Sequence, residues 1–500
     1  MVTSEHPEMA LSPQEAKFNQ VRRRVGLWVG PGLFCLCLGF AWAGEGTKQN
    51  ALLAVLLWVL VWWITEPVPL PVTALWGPTL AAILGVDTPT ALFAPFGDPV
   101  IFLFLGSFTL AQGVVASGLD RRAALAVLSL RWVQHSRRRL LWACGALVAG
   151  MSMWLSNTAT TAMMYPLVLA IARTVAPSRH TPFVTALLLS TAYGASIGGL
   201  GTPVGTPPNL IAIGQLDKLA GVKLGFVQWL AVGLPVMLVM LAFSLWYLSL
   251  GSTPGTRGQA QVSFSEQQQV LGPMSLREKN VLMAFSLAVL LWLAPGVAAL
   301  LLSPAHPFAK ALAQALPEGV VALLAASLLF LLPADRQKTR PTLTWREASQ
   351  LDWGTLLLFG GGLSLGHQLF QSGLAGKVGQ GLLAATGARS SLALAYLFAA
   401  VALVLTETTS NTAAATVACP LAIAAAQAAG VSPIAPTLAV AAAASLAFML
   451  PVSTPPNAIV YGSGMLRVTT MLRHGTLLDL FGVVTIPPLV VLLCQLWGLA

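Results

Sequence analysis

The sequence predicts an all-α polytopic membrane protein, with about 11 transmembrane helices and two re-entrant hairpins set in inverted repeats. Three observations predict it. Of the 500 residues, 56% are hydrophobic and 9% charged, against roughly a quarter charged in soluble domains, so a water-soluble enzyme is excluded. The apolar residues fall in long runs separated by charged or turn-rich breaks. Several polar motifs also occur twice, in the same order, in the two halves of the chain.

Taken in chain order, the runs place helices near 26–44, 51–66, 69–86, 99–118, 182–201, 228–250, 278–300, 316–333, 354–372, 434–450 and 478–499. Two further stretches, about 141–174 and 390–428, are each interrupted centrally by a polar cluster. They read as hairpins that dip into the membrane and return. The chain then divides into a cytoplasmic N-terminal segment (1–24), a first half (25–250), a cytoplasmic linker (251–276) and a second half (277–500). Each half holds scaffold helices, a hairpin and a broken helix, the latter at about 182–215 and 434–463.

Charge supports this topology. With the N-terminus inside, 21 of the 27 Lys and Arg fall in cytoplasmic segments, including Arg22 to Arg24, Arg121, Arg122 and Arg137 to Arg139. The net charge of +10 is therefore topology information and not a nucleic-acid footprint. The run Arg22-Arg23-Arg24 before the first apolar segment, with no short apolar core or cleavage site, reads as a retained first helix. The N-terminus is expected in the cytoplasm and the C-terminus outside. The five cysteines lie in apolar stretches and are given no disulfide, metal or redox role.

The duplication is specific. Gly106-Ser-Phe-Thr-Leu-Ala-Gln with Ser117-Gly118-Leu119 recurs as Gly361-Gly-Leu-Ser-Leu-Gly-His with Ser372-Gly373-Leu374, 255 positions on. Ser156-Asn157-Thr158 returns as Ser410-Asn411-Thr412 after 254, and Thr206-Pro207-Pro208-Asn209 as Thr454-Pro455-Pro456-Asn457 after 248. The first hairpin enters from the cytoplasm and the second from outside, so the repeats are inverted. Inverted repeats with broken helices mark secondary transporters.

The motifs also carry the chemistry. A hairpin tip ends one half-helix and starts another, so free N–H groups face an anion while freed carbonyls and Ser, Thr and Asn oxygens suit a cation. The glycines and prolines of 194–209 and 451–457 break their helices opposite the tips. Two pseudo-symmetric cation sites beside one anion site follow, and hard oxygens without a carboxylate suit a monovalent ion such as sodium. Hydrogen-bond glue between helices would not need duplicated order and spacing. No Walker A loop is present, so ATP hydrolysis by this chain is not expected. An intramembrane hydrolase would need a base beside Ser156 or Ser410, and none lies in the four motifs.

With the two Ser-Asn-Thr tips, the two Thr-Pro-Pro-Asn breaks and Trp63-Ile-Thr-Glu-Pro-Val-Pro-Leu-Pro-Val-Thr-Ala74, the chain resembles the divalent-anion:sodium symporter family, the INDY-type proteins of solute carrier family 13, over residues 25–500. The resemblance implies a homodimer in the lipid bilayer, each protomer having a scaffold and a mobile transport domain that works as an elevator. It implies a first sodium site from Ser152, Ser156, Asn157 and Gly205, and a second from Thr406, Thr409, Asn411 and Ser453. Thr409 and Ser453 stand where the family often has a small residue offering a backbone carbonyl. The substrate carboxylates would meet Ser156, Asn157, Thr158, Ser410, Asn411 and Thr412, with Thr206, Pro207, Thr454 and Pro455 shaping the wall.

Glu407 is expected to orient the tip backbone from behind the site, Glu66 to cap or pin the turn after the second helix, and His367 to pack. The expected function is sodium-coupled symport of small divalent anions, C4-dicarboxylates such as succinate, malate and fumarate first, across a bacterial inner membrane. Sodium-independent dicarboxylate exchange and sodium:sulfate symport are the alternatives. No organic cofactor and no nucleic-acid partner is expected, and the protein is not expected to be an enzyme.

Overall fold

The computed structural model describes residues 13–40, 47–134, 136–175, 181–250, 264–335, 337 and 339–499. Among them the only regular elements are helices, and the β-structure is a single isolated bridge between Pro333 and Pro341. Helix satisfies every backbone group within its own segment, which is what an apolar solvent demands. Among the described residues, seven helices are long and apolar enough to cross a membrane, or eight if the bent pair Pro307–Ala315 and Glu318–Leu331, at 53°, is one span. The eleven expected spans include short pieces such as Leu70–Ile83 and Ile434–Ala443, which that length criterion does not count.

The first hairpin is Arg137–Ser152 followed by Asn157–Val175, and the second is Ser391–Thr408 followed by Asn411–Ala428. The first broken helix runs Pro182–Gly198, tightens into a 3-10 turn at Gly199–Gly201 and restarts as Pro207–Ala220. The second runs Ile434–Ala443 and restarts as Pro455–Tyr461. The leading arm of each hairpin packs on the leading piece of its own half's broken helix. The trailing pieces cross over. Pro455–Tyr461 lies against Asn157–Val175, and Pro207–Ala220 against Asn411–Ala428, so the two halves interlock.

Several boundaries differ from expectation. The first helix begins at Pro13, inside the segment read as an N-terminal tail, and ends at Gly39. Residues 1–12 and 251–263, parts of the expected tail and linker, lie outside the described residues. Within the expected linker, Phe264–Val270 is helical. The last helix starts at Val468, ten residues before the apolar run that marked it, because its first turns carry polar residues on one face. The expected 434–450 helix stops at Ala443, where the break begins.

Among the helices not anticipated are the amphipathic Leu119–Leu128 and Leu374–Thr386. They explain the repeated Ser-Gly-Leu. Gly118 (φ 79°) and Gly373 (φ 74°) take left-handed conformations that end one helix and launch the next. In the polar segment before Trp353, Arg277 and Arg340 reach Glu347 at 2.8 and 2.6 Å. Burial opposes the charge of Glu347, but the amide and hydroxyl of Thr344 and the Arg277 guanidinium outweigh it and hold the carboxyl at about 2.

Candidate functional site

Each tip begins a helix with a serine as N-cap. Ser156 Oγ accepts from the Ala159 amide at 3.2 Å and Ser410 Oγ from Ala413 at 3.1 Å, so both tips present the start of a long helix, with its free N–H groups. Next to each cap an asparagine oxygen meets a hydroxyl from the leading arm. Ser152 Oγ donates to Asn157 Oδ1 at 2.8 Å, and Thr406 Oγ1 stands 2.7 Å from Asn411 Oδ1. The two pairs are separated by the same 254 positions as the tips.

The second pair shows why this arrangement suits a cation. Thr406 Oγ1 is also 2.6 Å from the Ala444 carbonyl, yet a hydroxyl has one proton for these two acceptors. One oxygen therefore faces another with nothing positive between them. In the first half, Asn157 Oδ1 and the Gly205 carbonyl lie 3.0 and 3.3 Å from the position that a Cβ on Gly199 would take, beside Thr206 Cβ at 3.0 Å, so oxygens gather there too. Both clusters fit a hard monovalent ion.

The breaks are held open in a matching way. Asn209 Nδ2 donates to the carbonyls of Gly199 and Thr202, both at 2.8 Å, and Asn457 Nδ2 to those of Ala447 and Leu450 at 2.8 and 2.9 Å. Each asparagine thus satisfies the carbonyls ten and seven residues before it, replacing the bonds that the helix gives up. Both Asn209 and Asn457 are fully buried, and in both Oδ1 has no donor. The hydroxyl of Thr202 donates to the Met153 carbonyl, tying the first break to the first tip.

The expected site residues come together by half. Ser152, Thr406, Thr206, Thr409, Ser453, Thr454 and Gly205 are buried, while Ser156, Thr158 and Pro455 are exposed and Asn157, Asn411, Ser410 and Pro207 half-buried. Thr409 turns its hydroxyl back to the Leu405 carbonyl at 3.0 Å. Glu407 reaches the break and not the tip. Its Oε1 accepts from the Met449 amide at 3.0 Å, and Ser453 Oγ stands 2.7 Å from Oε2 and 3.0 Å from the Glu407 carbonyl.

Sequence reasoning missed three groups. Asn209 and Asn457 were seen only as motif letters, and Asp479, an acid within an apolar helix, carried a signal that went unused. Arg22, read as a topology marker, donates to the Thr408 carbonyl at 2.5 Å and pairs with Glu66 at 3.2 Å. Glu66, at φ 49°, is thereby pinned between the first two helices and the second tip.

Fold and site define a polytopic helical membrane protein with a duplicated hairpin-and-break motif. The chain belongs to the family described as the sodium:sulfate symporter transmembrane region, which matches residues 39–499. It is 35% identical over 487 residues to the sodium-dependent dicarboxylate transporter SdcS of Staphylococcus saprophyticus, covering 95% of this chain and 92% of that one. The SdcS protein of Staphylococcus aureus strain USA300 is 35% identical over 479 residues, covering 92% and 89%. Among solved structures, the YdaH transporter of Alcanivorax borkumensis matches with a TM-score of 0.52 at 15% identity over 82% of this chain and 86% of that one, a likeness of fold.

Proposed function

We propose that this chain is a secondary active transporter that moves small divalent anions together with sodium, with C4-dicarboxylates such as succinate, malate and fumarate as substrates. The observation that carries the reading is the pair of oxygen clusters, Ser152 with Asn157 and Thr406 with Asn411, each placed beside the start of a long helix. The relatives named as sodium-dependent dicarboxylate transporters agree with it.

The chemistry follows from the absence of a Lys or Arg in the four motifs. A dianion has only helix starts, Ser, Asn and Thr donors and co-bound sodium to balance it. The first sodium would use Ser152, Ser156, Asn157 and Gly205, and the second Thr406, Thr409, Asn411 and Ser453. The carboxylates would lie between Ser156, Asn157 and Thr158 on one side and Ser410, Asn411 and Thr412 on the other. Without sodium the anion lacks its countercharge, and that is the coupling. Hairpins and broken helices would form the transport domain of an elevator and the remaining helices a scaffold that pairs two protomers, in a bacterial inner membrane with the N-terminus in the cytoplasm.

The test is uptake of labelled succinate into proteoliposomes under an inward sodium gradient, compared with a potassium gradient and with succinate preloaded inside. Uptake that requires sodium is expected. Uptake that ignores sodium and requires internal succinate would make the protein an exchanger.

A further inference from the structure

A cavity of about 590 Å³ lies apart from the tips and breaks, none of whose residues lines it. Its wall is built from the start of Phe226–Leu250, the last turns of Leu276–Leu302, the helix Pro307–Ala315 and the end of the chain at Trp497 and Leu499. The room comes from the bend of 53° that carries Pro307–Ala315 off the line of Glu318–Leu331 and lays it against Leu276–Leu302. The expected topology puts all of these ends on the outer side of the membrane. The cavity therefore lies where headgroups meet acyl chains.

Most of the lining is apolar. Phe226 stacks on Trp292 with ring centroids 5.3 Å apart and on Trp154 at 6.2 Å, so that side of the wall is fixed by packed rings. Leu300 and Trp497 line the cavity and are 62% and 51% exposed, which opens it sideways toward lipid. A volume with such walls suits an acyl chain and not water.

The polar lining has a definite pattern. Lys310 and Glu318 bring one charge of each sign, and among the described residues neither makes an ion pair. Trp292 Nε1 donates to the Glu318 carbonyl at 3.0 Å and fixes the start of that helix against the wall. Glu318 Oε1 and Gln228 Oε1 lie 3.6 and 3.7 Å from the position that a Cβ on Gly225 would take. Among the described residues no other atom beyond the chain neighbours comes within 4 Å of that position. Two acceptor oxygens, one of them charged, thus converge on open space, with an unpaired ammonium elsewhere on the same lining.

We propose that this cavity binds one phospholipid whose headgroup carries both a phosphate and a primary ammonium, phosphatidylethanolamine, in the outer leaflet. The phosphate would meet Lys310, the ammonium would donate to Glu318 and Gln228, and an acyl chain would lie along Phe226, Trp292 and Leu300. The complement is specific. A choline headgroup has no N–H to give to the two oxygens, and a purely anionic headgroup would leave Glu318 facing negative charge. The inference goes beyond the transport reading and rests on the chain's place in the membrane alone.

The test is native mass spectrometry of the purified full-length protein in detergent, titrated with phosphatidylethanolamine, phosphatidylcholine and phosphatidylglycerol of the same acyl chains. Wild type is expected to retain one phosphatidylethanolamine per chain, bound about tenfold more tightly than either of the other two. Equal retention of the three lipids, or a preference for phosphatidylglycerol, would overturn the proposal. Glu318→Gln should erase the preference over phosphatidylcholine, while Lys310→Gln should weaken both lipids, since both carry the phosphate. A preference unchanged in both variants would mean an unselective lipid coat. Ala299→Trp places a ring in space that the cavity already offers and should remove the retained lipid. An unchanged lipid count in an Ala299→Trp protein that elutes as a single species would place the lipid elsewhere and overturn the site. Because retention needs neither sodium nor succinate, failed uptake would leave this site standing.

Discussion

The two halves share a skeleton down to single hydrogen bonds, yet differ in chemistry where the ions are expected. Asn209 and Asn457 close carbonyls at the same two distances back along the chain, and Asn157 and Asn411 meet hydroxyls five residues before them. Behind that skeleton, the first half has Met153 and Gly205 where the second has Glu407 and Ser453. Backbone geometry is therefore what the duplication preserved.

The largest effect should come from the shared part. Asn157→Ala and Asn411→Ala each remove an oxygen assigned to both cation and anion, and each is expected to lower sodium-driven succinate uptake by about 100-fold or more. Protein yield and elution profile should stay as in wild type. Transport retained by one variant alone would show that only one half binds ions.

Exchanging the residues at the differing break position should separate the halves. For Gly205→Ser, the new Cβ would fall 2.5 Å from the Gly199 carbonyl and 3.0 Å from that of Met153, so the first break must shift. Sodium affinity measured from the concentration dependence of uptake should fall by about tenfold, a displacement worth roughly 1.4 kcal/mol. Ser453→Gly opens space and loses only the hydroxyl on Glu407, costing about 1–2 kcal/mol of thermal stability. Equal effects from the two substitutions would erase the contrast.

The smallest difference between halves is expected at the staples. Asn209→Ala and Asn457→Ala each strip two buried carbonyls of their donor and should cost roughly 2–4 kcal/mol. Apparent Tm in detergent should drop by a similar amount for both. A drop confined to one would mean that the breaks are not held alike.

Much of this was legible in the sequence, for reasons that can be located. The hairpins announced themselves because Ser156-Asn157-Thr158 and Ser410-Asn411-Thr412 interrupt apolar runs, and the breaks because proline and glycine cannot continue a helix. The amphipathic helices Leu119–Leu128 and Leu374–Thr386 escaped because their apolar residues are spread by period and do not form a run. The restart of the last helix at Val468 escaped for the same reason. Asp479 was visible as a letter, but its burial depended on the helices packed around it.

The sequence by itself determined the membrane class, the duplication and the residue types at the tips. These are properties of short windows or of comparing one window with another. Only the tertiary structure decided that Glu407 reaches Ser453 and the Met449 amide, that Thr406 stands between Asn411 and the Ala444 carbonyl, and that Arg22 reaches the Thr408 carbonyl. Those pairings depend on which helix faces are pressed together, and that is set by close packing at glycines such as Gly201, Gly233 and Gly475 and by no local pattern in the chain.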